Sequence, residues 1–176
     1  MGIFRRRPKL PAELRPTLEP EERVVAWARV GEDAAVVATN RGLFLPGREG
    51  RLGWHEIHKA AWAGRQLVVT PGEVTEQREG YLVTVDGRPI TVNLLEPGDV
   101  PYAVRTRVTR SVAVTSHHHV PGGGVRVVGR RVPGEDGLTW TVRYDPGTDP
   151  EAPEVREATA ALVSRHVADA TPTDLR

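Results

Sequence analysis

The sequence predicts a mixed α+β fold: a small antiparallel β-barrel or sandwich closed by a capping helix, followed by a β-hairpin and a terminal helix. Three observations predict it. Short runs rich in Val, Thr, Leu and Trp recur before residue 95, each bounded by Gly, Pro, Asp or Asn, at the spacing of an all-β sandwich or barrel. Past residue 99 the apolar period lengthens to four, with Val100, Val104, Val108 and Val112 in register, as on one face of a helix. A second pair of alternating segments and a last helical stretch complete the chain. At 176 residues, the protein is long enough for a real core in one domain with an appendage.

The elements follow in order. Residues 1–16 form a basic arm in which Pro8, Pro11 and Pro16 lack donors and restrict their neighbours, so no regular element is expected. Residues 23–30 alternate as a strand, and residues 34–39 follow after Gly31-Glu32-Asp33. Asn40-Arg41-Gly42 breaks that strand, and residues 43–45 run to Pro46-Gly47. Residues 51–54 and 59–63 flank a short irregular stretch, and residues 66–70 stop at Pro71-Gly72. Residues 81–85 and 89–94 read as a hairpin across Asp86-Gly87, a dipeptide that favours a type I′ turn. Asp99 is placed to cap the helix that follows, with Arg105, Arg107 and Arg110 off its apolar stripe. Pro121-Gly122-Gly123-Gly124 reads as a joint, leading to a hairpin of residues 125–132 and 138–144. The last helix, residues 150–168, carries Val155, Ala158, Leu162 and His166 on one face. The expected divisions are thus an arm (1–16), a β domain with its capping helix (17–115), and a hairpin-plus-helix extension (116–176) packed on it.

The strand sequences Arg23-Val24-Val25-Ala26-Trp27, Val36-Val37-Ala38-Thr39-Asn40-Arg41-Gly42-Leu43 and Leu52-Gly53-Trp54-His55-Glu56-Ile57 resemble the opening of bacterial PH-like domains. The resemblance covers residues 18–115 and leaves residues 116–176 without a counterpart. The chain also resembles small proteins of actinobacterial type that share its MG-x-F-RRR opening. A PH-like fold implies a binding scaffold, although fold alone does not dictate function.

Composition narrows the chemistry. There is no cysteine, which excludes disulfides, thiolate metal sites and a cysteine nucleophile. With 24 basic and 23 acidic residues the net charge is +1, unlike a surface built wholly for nucleic acid. Only Lys9 and Lys59 are lysines, so arginine is the default cation and its clusters carry less weight. No apolar run is long enough to span a membrane, the N-terminus lacks a secretory core, and a cytoplasmic location is expected.

Several constellations invite a chemical reading and are outweighed. His55 and His58 are three residues apart, whereas the zinc-hydrolase pair is spaced by four on one helical face; in a strand they would face opposite sides. His117, His118 and His119 follow Ser116 and could lend one or two imidazoles to a transition metal, but consecutive residues diverge, and a solvated linker is expected. His166 reads as a packed core histidine. The Pro121–Gly124 segment enters a strand, not the helix N-terminus that a phosphate loop requires. No nucleophile elbow and no defensible acid–base pair is present.

A non-enzyme without a cofactor is therefore expected, acting as a protein-binding or scaffolding module for an unidentified protein partner. Arg5, Arg6, Arg7 and Lys9, beside Ile3 and Phe4, offer a weak anionic-membrane contact as the alternative. Nucleic-acid binding through the arm with Arg126, Arg130 and Arg131 is disfavoured, since Arg131 points away from the other two. The residues marked for interaction are Arg5, Arg6, Arg7, Lys9, Trp54, His117, His118 and His119.

Overall fold

The computed structural model describes residues 8–171. A four-stranded antiparallel meander comes first: β1 (Val24–Arg29), β2 (Ala35–Thr39), β3 (Gly42–Phe44) and β4 (Leu52–Gly53). A 3₁₀ turn, Trp54–Glu56, then leads into a larger curled sheet. Its strands are β5 (Ile57–Ala63), β6 (Gln66–Arg78), β7 (Tyr81–Asp86), β8 (Ile90–Asn93), β9 (Val112–Val120), β10 (Gly123–Arg130) and β11 (Thr139–Tyr144). Helix α1 (Val100–Ser111) caps the half-barrel, and α2 (Pro153–Ala170) covers the far end of the large sheet. The α+β class and the curled β architecture agree with expectation.

The spine of the molecule is a long hairpin. Gln66 pairs with Asn93, Val69 with Ile90, Gly72 with Asp86 and Arg78 with Tyr81, so β8 and β7 lie end to end along one edge of β6. The turn is Glu79-Gly80, where Gly80 takes φ +82°, a left-handed conformation that glycine adopts without a Cβ clash. Asp86-Gly87 is therefore not a turn. Gly87 donates its N–H to the Pro71 carbonyl at 2.8 Å, and the chain runs on past Arg88 and Pro89 into β8. Nor does β6 stop at Pro71. A register shift between Ile57 and Lys59 places Pro71 at a bulge, one of the few places where a sheet accepts a residue with no donor.

Two cores hang on this spine. The first packs Leu43, Leu52, Trp54, Ile57 and Leu67 beneath Val100 and Val104 of α1. The second packs Tyr81, Val83, Val127, Trp140 and Val142 beneath Val155 and Val163 of α2. Each fully buried aliphatic side chain contributes about 1.5–3 kcal/mol relative to exposure, and both helices owe their position to that burial. The second core takes Tyr81 and Val83 from before residue 115, and β11 joins β7 in parallel through Thr141↔Leu82 and Val142↔Val83. The C-terminal segment thus extends the same sheet.

Several expectations change accordingly. Ser111 passes straight into β9, so His117, His118 and His119 lie in a strand paired with β10, not in a linker. Val112 begins that strand and does not extend the helical stripe. Pro121-Gly122 is the two-residue turn between β9 and β10, with Val120 opposite Gly123 and Gly122 at φ +74°; the glycine run is no joint. Trp54 is 2% exposed and its indole N–H donates to the Thr39 carbonyl at 3.0 Å, so it is a core residue and not a docking residue. Trp140 is buried beneath α2 in one cluster with Tyr81 and Val83. Arg5, Arg6 and Arg7 lie outside the described residues. Lys9 is exposed, while the arm around it is held by Leu10, which is buried, and by the Trp27 indole, which donates to the Pro8 carbonyl at 2.9 Å.

Candidate functional site

The alternation of β10 and β11 divides their side chains between two faces. Val125 and Val127, with Trp140 and Val142, turn toward α2. Arg130, Thr139 and Thr141 turn the other way and line a cavity of about 250 Å³ with Gly72, Val74, Leu82 and Thr84 of β6 and β7. The 3₁₀ turn roofs it with His55 and Glu56, His58 follows at the start of β5, and Val132 and Glu135 close one side. The cleft lies where the two halves of the molecule meet.

Arg130 is 6% exposed. A register shift between Gly129 and Arg130 marks a bulge against β9, a device that re-aims a side chain. Its guanidinium donates to Ser111 Oγ at 3.1 Å, and no carboxylate among the described residues pairs with it. Burial pulls its pKa down from the usual arginine value, and the Arg143 cation adds to the effect. The other inward charges are treated differently. Glu22, 8% exposed, accepts from Thr39 Oγ1 at 2.6 Å and from Arg51 at 2.7 Å. Arg78 reaches Glu76 at 2.7 Å, the Tyr144 hydroxyl at 2.9 Å and the Pro150 carbonyl at 2.9 Å. A buried charge left without its counter-charge costs several kcal/mol. Of these three, only Arg130 is left so.

The two roof histidines line the same cleft as that cation. Burial holds the His55 pKa below its ordinary value, against the pull of Glu56 and Glu135, and His55 Nδ1 is a buried atom without a protein partner. Burial likewise lowers the His58 pKa, opposed by its 2.8 Å contact with Asp86 Oδ1. As a neutral imidazole, His58 donates through Nδ1 to that carboxylate. Asp86 also takes Arg143 at 2.6 Å, and these two contacts hold its carboxyl below the usual range. Each ring lies against a glycine, His55 on Gly53 and His58 on Gly72, where a Cβ would strike the imidazole. Glu56 Oε2 accepts the Gly53 N–H at 2.6 Å, and Glu56 makes no ion pair with Arg130.

Sequence reasoning set His55 and His58 aside because strand residues three apart diverge. The intervening 3₁₀ turn removes that alternation and brings both to one cleft. Arg126 and Arg130 do share a face, as expected, but Arg130 is enclosed and unavailable to a polyanion. Among the marked residues, His117 pairs with Asp145 at 2.7 Å on the outer face, His119 is exposed, and His118 turns inward toward α2. Ser116 Oγ lies 2.9 Å from His118 Nε2 and 2.8 Å from His166 Nε2. A serine triad needs its second partner on the far nitrogen of the base; here His166 meets the same Nε2, at 3.0 Å.

Among the described residues no group of three His, Cys, Asp or Glu side chains is arranged to hold a metal ion. No helix among them is long and apolar enough to cross a membrane. Compared with known proteins, the chain significantly matches no family model, no curated protein and no solved structure.

Proposed function

We propose that the protein is a PH-like binding module, not an enzyme, that holds a carboxylate of a protein partner in the junction cleft. The observation that carries this reading is the buried Arg130 guanidinium without an acid. A planar guanidinium fork matches a carboxylate bidentately. One uncompensated cation, with Arg143 already committed to Asp86 and Glu135 nearby, favours a monoanion over a phosphate dianion. Size supports a side chain or chain end as ligand, since about 250 Å³ falls below the roughly 300–1,000 Å³ of small-molecule pockets. Thr139 and Thr141 supply hydroxyls, while Val74 and Leu82 supply apolar walls for the methylenes of an Asp or Glu side chain.

The test is a titration of the full chain with acetate and with inorganic phosphate, up to about 50 mM to reach weak millimolar affinity, followed by amide and guanidinium NMR shifts. Saturable shifts confined to the cleft with acetate, absent in Arg130→Met and weakened in Arg130→Lys, are expected. Shifts that spread over the surface, or survive in Arg130→Met, would overturn the assignment. A short peptide ending in Glu should bind more tightly than acetate.

A further inference from the structure

The end of α1 carries two guanidiniums that no acid of the described residues answers. Arg107 and Arg110 are three residues apart and so share one face of the helix. Both line an open cavity of about 550 Å³ at the helix end, together with Asn40, Ser111, Arg131 and Leu138. The backbone N–H of Arg23 donates to Asn40 Oδ1 at 2.8 Å, which sets a further arginine at the rim. Arg107 is half-buried, and among the described residues it has neither a hydrogen bond nor an ion pair. Burial first, and then the Arg23 and Arg110 cations, hold its pKa below the usual arginine value, and no carboxylate opposes them. Glu135 and Asp136 border the same cavity but pair with none of these guanidiniums.

The helix end does not account for the cluster. Cations in a last helical turn commonly serve the free carbonyls there, yet here other groups serve them. The Val108 carbonyl accepts from the Ser111 hydroxyl at 2.7 Å, and the Thr109 carbonyl accepts from the Val112 N–H. The Arg110 carbonyl takes the Arg131 guanidinium at 3.0 Å, and the Ser111 carbonyl takes the Arg131 N–H at 2.7 Å. Arg131 thus closes the helix, and the guanidiniums of Arg107 and Arg110 are left over. Arg41 and Arg51 show the contrast, since both reach Glu19, at 2.7 and 3.4 Å.

We propose that Arg107 and Arg110, with Arg23 at the rim, bind the phosphate group of a small phosphate monoester. Such a group carries close to two negative charges and three strong acceptor oxygens, and guanidinium forks match it bidentately. Three neighbouring cations without an acid suit a dianion, whereas the single cation of the Arg130 cleft suits a carboxylate. A ligand here relieves the repulsion among the arginines as it binds. The cavity falls within the roughly 300–1,000 Å³ of small-molecule pockets, so a phosphate fills only part of it. Ala113, Pro133 and Leu138 offer apolar wall to an organic body. Glu135 and Asp136 beside the cavity disfavour a long polyanion such as nucleic acid.

The experiment titrates phenyl phosphate, inorganic phosphate and acetate into the full chain at about 150 mM salt, which screens weak surface contacts. Calorimetry and arginine side-chain NMR are the readouts. One equivalent of phenyl phosphate is expected to bind, about tenfold more tightly than inorganic phosphate, with acetate weaker than both and the shifts centred on Arg107 and Arg110. Arg107→Gln should abolish this binding, while Arg107→Lys and Arg110→Gln should weaken it. Arg48→Gln, which removes an exposed arginine outside the cavity, should leave it unchanged. Arg107→Gln loses no partner, so its unfolding temperature should not fall; should it fail to fold, the exposed Arg110→Gln carries the test. No saturable binding up to about 50 mM, binding that survives Arg107→Gln, shifts centred on Arg130, or acetate matching phenyl phosphate would each overturn the proposal. So would a short DNA duplex that displaces phenyl phosphate and binds more tightly, since the face would then be a nucleic-acid contact.

Discussion

Histidines set the pH response of this chain. His55, His58 and His118 are held below their ordinary pKa, each first by burial. The unfolded chain therefore takes up protons at these positions before the folded one does. Stability should be fully present above the ordinary histidine pKa of about 6.5 and decline as pH falls below it toward the depressed folded values. The carboxyl groups of Glu19, Glu76 and Asp86 are held down by arginines and, for Asp86, first by His58. Their loss begins only in the carboxylate range, below about pH 4. Urea midpoints at pH 8 and pH 5.5 check this: a lower midpoint at pH 5.5 is expected, and an equal or higher one contradicts it. The pattern was only half legible from sequence. Alternation puts Arg126 and Arg130 on one face, but the enclosure of Arg130 depends on a bulge and on a roof contributed by residues more than 70 positions earlier. His166 reads as an apolar-stripe residue, and nothing local announces the partners waiting on β9.

Among the elements, α2 depends most on a single contact surface. Its buried line is Val155, Thr159 and Val163, with Ala158 and Leu162 packed beside it, one step around the helix from the stripe that periodicity predicts. Trp140, 7% exposed, is the largest side chain beneath it. Trp140→Ala should cost about 3 kcal/mol or more, measured by urea denaturation; a loss below about 1 kcal/mol would mean that α2 is held by something else. At the other end of the spine, Gly80→Ala forces a Cβ into the left-handed region and should cost about 1 kcal/mol. The matching change at Gly87 tests the turn assignment differently, because a Cβ there meets Glu73 and the Pro71 carbonyl. Strand existence was legible in nearly every case, because Val- and Thr-rich alternation is local. Strand connectivity was not. Asp86-Gly87 carries turn propensity, yet β6 offers a partner on both sides of it, and pairing along 13 residues of β6 outweighs a two-residue preference. The β9 assignment failed for a related reason: three histidines resemble a solvated segment until β10 pairs with them.

At the scale of the molecule, both cores share the β6–β7 hairpin, and no strand-free linker separates them. Unfolding should therefore be a single cooperative transition, with tryptophan fluorescence and far-UV circular dichroism coinciding; two resolved transitions would show independent halves. A chain cut after residue 115 should not leave a stable remainder, since Tyr81 and Val83 would lose their cover. The α+β layout with its capping helix was legible because patterning is averaged over whole segments. The cleft was not, since it exists only where distant segments meet. The central claim is that Arg130 is kept buried for a carboxylate, at a cost to the isolated chain. Thermal and urea unfolding of the wild type and Arg130→Met, each with and without saturating acetate, tests it most directly. Without acetate the methionine variant should be the more stable, by about 1–4 kcal/mol, and acetate should stabilise the wild type alone. A variant less stable than wild type under both conditions, with acetate acting equally on the two, would contradict the account.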